Sequence, residues 1–446
     1  MNTYLIVNAK IVNEGQISHS DILIENGRIS KIASQITLKG NVQVIDAQDN
    51  FVLPGVIDDQ VHFREPGLTH KANIATESAA AVAGGVTTFF EQPNTQPQTT
   101  TLQYLEEKFN IASRTSFANY SFFLGGTNDN LEELKKLEKN VCAGVKLFLG
   151  SSTGNMLVDN EKTIETIFSN VDAIIAAHCE DEQTIRQNLA QQQAIYGEDI
   201  PVEQHPIIRS DEACYLSSSK AVALAEKTGA RLHVFHLSTE KETALFRNDI
   251  PLKDKKITAE VCVHHLWFSD ADYAQKGNFI KWNPAVKKAS DRDALWEALL
   301  DNRLDVIATD HAPHTLSEKS NQKYAQIPSG GPLVQHALIA MLEKMKQGKI
   351  TIETLVEKMC HNPAILFQVK ERGFIREGYF ADLVIVDVNS PWQVTKENIL
   401  YKCGWSPFEN ENFQARVTHT FVNGFLAYQN GIVTAIPYGK RIMFNR

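Results

Sequence analysis

Eight short apolar runs constrain this chain more than any other feature. They cover residues 51–57, 86–90, 118–124, 143–149, 173–177, 231–237, 257–263 and 304–309. Each is rich in Val, Ile, Phe or Leu and is followed by turn residues and then by a stretch compatible with helix, the pattern of buried parallel strands in βα units. Eight such units predict an α/β fold, a (β/α)8 TIM-type barrel. In that architecture the C-terminal strand ends and the loops after them build the active site. In or just after five of the runs sit His62, Lys146, His178, His236 and Asp310. A fold period that coincides with metal-ligand chemistry points to a metal-dependent enzyme.

At 446 residues the chain is long enough for a barrel and a smaller domain. Residues 4–7, 11–12 and 42–46 read as short strands, and Glu25-Asn26-Gly27-Arg28-Ile29 as a hairpin turn. The same texture returns at 373–378, 381–387 and 417–422. Both termini are therefore expected to form one small β-sandwich, with residues 1–50 and 371–446 contributing its two parts and 51–370 forming the barrel. Helices are expected at 72–83, 101–112, 131–139, 181–194, 211–228, 291–300, 332–347 and 352–360.

A net charge of −9 without any dense Lys/Arg block gives little support to a nucleic-acid or anionic-membrane surface. The partner expected is a small molecule, and a homodimer is kept open as the assembly. Residues 1–10 lack a basic segment followed by an apolar one, and no apolar stretch approaches the ~20 residues that span a bilayer. The expectation is a soluble cytoplasmic protein. Six scattered cysteines without a C-x-x-C pair argue against a disulfide scaffold or a cysteine-rich zinc site. Free cysteines of this kind are usually buried apolar filler.

The segment Asp58-Asp59-Gln60-Val61-His62-Phe63-Arg64-Glu65-Pro66-Gly67 follows the first run. Two histidines two apart on an extended segment point to one side and can share an ion. Here Gln60 takes the first of those places. Alternation turns Lys146 to the barrel interior, where burial favours the neutral amine. A neutral amine can add carbon dioxide to give a carbamate, a two-oxygen ligand able to bridge two divalent ions. Neutral imidazoles at His178 and His236 suit zinc. Spacing does not decide whether His233 or His236 faces inward, because residues three apart on a strand face opposite sides. In Asp310-His311-Ala312-Pro313-His314 the aspartate can both ligate a metal and take a proton from bound water. Glu260 is left without an assigned role.

The segments Pro54-Gly55-Val56-Ile57-Asp58, Gly84-Gly85-Val86-Thr87-Thr88 and Ala381-Asp382-Leu383-Val384, with the residues above, resemble the cyclic amidohydrolases, most closely the type I dihydroorotases. That resemblance implies one or two zinc ions, with Lys146 carboxylated and bridging. His178 and His236 would hold the more exposed ion, and His62 and Asp310 the more buried one, Asp310 also serving as catalytic base. It further implies a substrate pocket of Arg64, Asn94, Asn283 and His314, in which Arg64 grips a carboxylate with its planar fork. The reaction implied is the interconversion of L-dihydroorotate and N-carbamoyl-L-aspartate in pyrimidine synthesis. Two alternatives stay open: another cyclic amidase of the allantoinase or hydantoinase type, and an inactive homologue that partners aspartate transcarbamoylase. Gln60 favours the second of these, because an amide oxygen is a poorer zinc ligand than imidazole.

Overall fold

A computed structural model describes residues 3–38, 40, 42–150 and 156–446. Eight parallel strands form one sheet: β1 (Val56–Val61), β2 (Val86–Glu91), β3 (Asn119–Gly125), β4 (Gly144–Phe148), β5 (Ile175–His178), β6 (Leu232–Val234), β7 (Ile257–Cys262) and β8 (Val306–Ala308). Neighbours pair in sequence order. A parallel bridge from Val61 to His311 and the His62 N–H···O=C His311 bond (2.7 Å) bring the last strand back to the first. The strands are buried along almost their whole length, as both faces of a helix-covered parallel sheet must be.

The expected first run divides in two. Phe51–Pro54 pairs with Tyr4–Asn13 and Leu383–Asp387 in the terminal sheet, and only Val56–Val61 enters the barrel. Gly55 makes the transfer, and a Cβ there would lie 2.0 Å from Thr87 Oγ1. The terminal sheet has nine strands drawn from both chain ends. Its hairpin turn has Asn26 at φ 53° and Gly27 at φ 82°, the left-handed pair that a two-residue type I′ turn requires.

The helices occupy the expected segments with several departures: the 332–347 segment is helical only over Ala337–Lys346, the 352–360 segment is an α-helix over Ile352–Val356 that widens to a π-helix over Glu357–His361, and Asn362–Phe367 adds a helix that was not expected. The 131–139 segment is helical only over Leu131–Leu134, and Glu161–Asn170 is a helix that the apolar pattern did not reveal. The lower interior of the barrel is filled by Ile57, Phe90, Phe123 and Phe235, with Phe367 and the tail residues Ile442 and Phe444 packed beneath. Arg446 ties that tail down through the carbonyls of Phe367 and Ala143. The bottom is thus sealed, and access is left to the face where the strands end. All six cysteines are free and buried. Among the described residues no helix is long and apolar enough to cross a membrane.

Candidate active site

At the C-terminal ends of the strands, Gln60, His62, Arg64, Asn94, Lys146, His178, His236, Asn283 and Asp310 line one cavity of about 160 Å³. That is below the roughly 300 Å³ at which drug-sized pockets begin, and it suits a small metabolite. His314 does not line it. Its Nε2–H donates to the Ser329 carbonyl at 3.0 Å, its Nδ1 accepts from Lys71 at 3.0 Å, and its ring stands 3.2 Å from Arg64 Nη2.

Three of these residues, Arg64 (φ 68°), His236 (φ 41°) and Asp310 (φ 46°), hold left-handed backbone that a side chain disfavours. Strain of this kind collects where geometry serves a site. It also answers the question about His233 and His236. The strand ends at Val234, and the turn at His236 breaks alternation, so both imidazoles reach the interior.

Hydrogen bonds fix the imidazole tautomers. His62 Nδ1 lies 2.9 Å from Asn94 Oδ1 and donates to it, leaving the bare Nε2 3.1 Å from Asp310 Oδ1. Burial pushes His62 down to about 4 although Asp310 opposes it, so the ring is neutral at pH 7. A lone pair facing a carboxylate is repulsive unless a cation stands between them. His178 donates from Nε2 to Glu180 at 2.9 Å, which turns its bare Nδ1 toward His236 Nε2, 3.0 Å away. Burial also lowers both of these histidines. Glu180 was not anticipated from the sequence, although its place two residues after His178 was a usable signal. Burial works to raise its pKa, but Arg209 and His178 override that and hold it at about 2.

Burial depresses Lys146 to about 7 despite the opposing charges of Glu260 and Asp310, so a neutral amine is available near physiological pH. Gln60 lines the cavity, yet its Oε1 accepts the Cys262 thiol at 3.6 Å. The donors therefore fit a divalent metal, most completely on the Lys146, His178 and His236 side.

The sequence profile of the amidohydrolase family matches residues 51–426. The chain belongs to the amidohydrolase family. Among its relatives, a protein of Methanosarcina mazei named dihydroorotase is 34% identical over 91% of this chain and 90% of its own. One of Staphylococcus epidermidis with the same name is 32% identical over 95% and 99%. Among solved structures, an L-hydantoinase (dihydropyrimidinase) from Arthrobacter aurescens superposes with a TM-score of 0.93 at 26% identity, covering 99% of this chain and 100% of that one. This amidohydrolase therefore shares its whole architecture with enzymes of cyclic amide hydrolysis.

Proposed function

We propose that this amidohydrolase is a dihydroorotase, catalysing the reversible hydrolysis of L-dihydroorotate to N-carbamoyl-L-aspartate in pyrimidine synthesis. The observation that carries the reading is Arg64, a guanidinium 3% exposed that lines the same small cavity as the metal-type donors. Its Nε donates to the Pro313 carbonyl at 3.1 Å, which aims the planar fork. A buried fork in so small a space suits a substrate that carries a carboxylate beside its ring. Asn283 Oδ1 has no hydrogen-bond partner and can accept from a ring N–H. Asn94 orients His62 and borders the same space. His314 acts one layer back, its ring packed beside Arg64 and fixed by Lys71 and the Ser329 carbonyl.

Lys146, His178 and His236 would hold one zinc, with His62 and Asp310 available to a second and Lys146 bridging as its carbamate. Zinc, when bound, supplies Lewis acidity for the ring carbonyl and lowers the pKa of water. Asp310 takes the proton of the attacking water and delivers it to the ring nitrogen as the amide bond opens, and ring closure runs these steps backwards. His62 Nε2 and Asp310 Oδ1 face each other at 3.1 Å across the place a second ion would take. On this reading the enzyme works in the cytoplasm on a small molecule, and the homodimer is the assembly to test by light scattering.

The close superposition on an L-hydantoinase supports a second reading, a cyclic amidase for a carboxylate-free ring. Turnover of dihydroorotate, hydantoin and allantoin by the zinc-loaded protein separates the two. Dihydroorotate should be strongly preferred, and preference for either other ring refutes the proposal. His178→Ala should abolish that turnover and release metal, whereas full activity with full metal content refutes the ligand assignment.

A further inference from the structure

Below the cavity the barrel interior holds a second set of donors. Asp59 on β1, His233 on β6 and Glu260 on β7 are fully buried, and their ligand atoms lie within 4.8 Å of one another. A register shift between Asp58 and Val61 lets both Asp59 and Gln60 reach the interior. Without such a shift, adjacent strand residues point to opposite faces.

The His233 tautomer is fixed from behind. Its Nδ1 lies 2.9 Å from Thr258 Oγ1, and that hydroxyl gives its own proton to the Leu232 carbonyl. The hydroxyl must therefore accept, and Nδ1 carries the hydrogen. Nε2 then faces Asp59 Oδ2 at 3.2 Å and Glu260 Oε2 at 3.4 Å. Neither Asp59 oxygen has a hydrogen-bond partner, although the residue is wholly buried. Glu260 spends its other oxygen on the His236 amide N–H at 3.1 Å, which ties this set to the cavity above.

Either a second proton or a cation must fill the space between Nε2 and the two carboxylates. A charge-assisted N–H···O bond settles at about 2.7–2.9 Å, shorter than both separations. Ligand atoms around a tetrahedral zinc with N and O bonds of about 2.0–2.1 Å stand roughly 3.3–3.4 Å apart, close to both. Charge agrees with distance. With both carboxylates ionised, an imidazolium leaves the trio one negative charge in excess, and burial together with Asp59 accordingly raises Glu260 well above the usual carboxylate range. A divalent ion with a neutral imidazole balances both carboxylates without that second proton.

We propose that Asp59, His233 and Glu260 form a buried divalent-cation site of the zinc class, beneath and distinct from the cavity donors. Thr258 is its positioning residue, holding the ring so that Nε2 remains the ligand. When the ion is removed, a proton takes its place, since the two carboxylates lift His233 to about 9 against the effect of burial. Proton and metal thus compete for one lone pair. The site does not depend on which cyclic amide the cavity accepts.

The test is anomalous scattering at the zinc edge from crystals of the zinc-loaded full chain, with elemental analysis after dialysis against a mild chelator. A peak bounded by Asp59, His233 and Glu260 is expected in the parent. It should persist in His178→Ala, which removes a ligand of the Lys146–His178–His236 position only, and Asp59→Asn should remove one equivalent from either background. The parent crystal alone decides the matter if a variant does not fold. Absence of a peak there in the zinc-loaded parent overturns the proposal, as does a nitrogen NMR signature of doubly protonated His233 in the loaded protein.

Discussion

Replacing Arg64 by Lys keeps the positive charge and removes the fork, so it isolates geometry from electrostatics. The backbone term is constant, because either residue must hold the left-handed φ of 68°. What is lost is one of two parallel contacts to the substrate carboxylate, together with the 3.1 Å Nε–Pro313 bond that aims the group. A hydrogen bond to a charged partner contributes about 1.5–3 kcal/mol. At about 1.4 kcal/mol per tenfold, that is a loss of roughly 10- to 150-fold in kcat/KM. With Arg64 only 3% exposed, solvent screens the contact weakly and the upper part of this range applies. The assay compares kcat/KM for dihydroorotate with that for dihydrouracil, a carboxylate-free ring of the same size, in parent and Arg64→Lys. The loss should fall on dihydroorotate alone. An equal loss on both rings would show that Arg64 acts through the fold, and no loss on either would remove it from the carboxylate site.

Because burial depresses Lys146 to about 7, its amine is protonated and unreactive below that pH and free above it. With labelled bicarbonate, a carbon NMR carbamate signal should grow as pH rises through about 7 and be missing in Lys146→Ala; growth only near pH 10 would show an ordinary lysine. Glu180→Gln leaves the buried Arg209 guanidinium without its carboxylate, which should cost about 3–5 kcal/mol in thermal unfolding and weaken metal binding about 10- to 100-fold in chelator competition. In the parent this contribution is complete above the ordinary carboxylate pKa and is lost as pH falls through about 2, the value at which Glu180 is held. Gln60→His should raise the occupancy of an ion bonded to His62 and Asp310, read by anomalous scattering. Full occupancy there in the parent would show that the amide does not weaken the position.

The eight-strand period was legible because strands buried on both faces must be apolar throughout, and the donors were legible because they interrupt or follow such runs. Boundaries were less so: nothing in the local pattern of 51–57 distinguishes a strand in one sheet from a strand handed to another at Gly55, since both halves are equally apolar. The residues that hold the donors escaped for a different reason. Glu180, Arg209 and Lys71 act through contacts made only when distant segments meet, and as side chains in a sequence they are ordinary charges. Asp59 and His233 escaped because the period-2 rule was applied where the backbone does not obey it. One register shift after Asp58 and one left-handed turn at His236 suffice to turn neighbouring side chains into the same interior. The first brings a carboxylate to His233, which the regular pairing of β6 already holds in the interior beneath Gln60. The substitution expected to weaken one metal position and the geometry proposed to build another therefore both trace to the same few residues on β1.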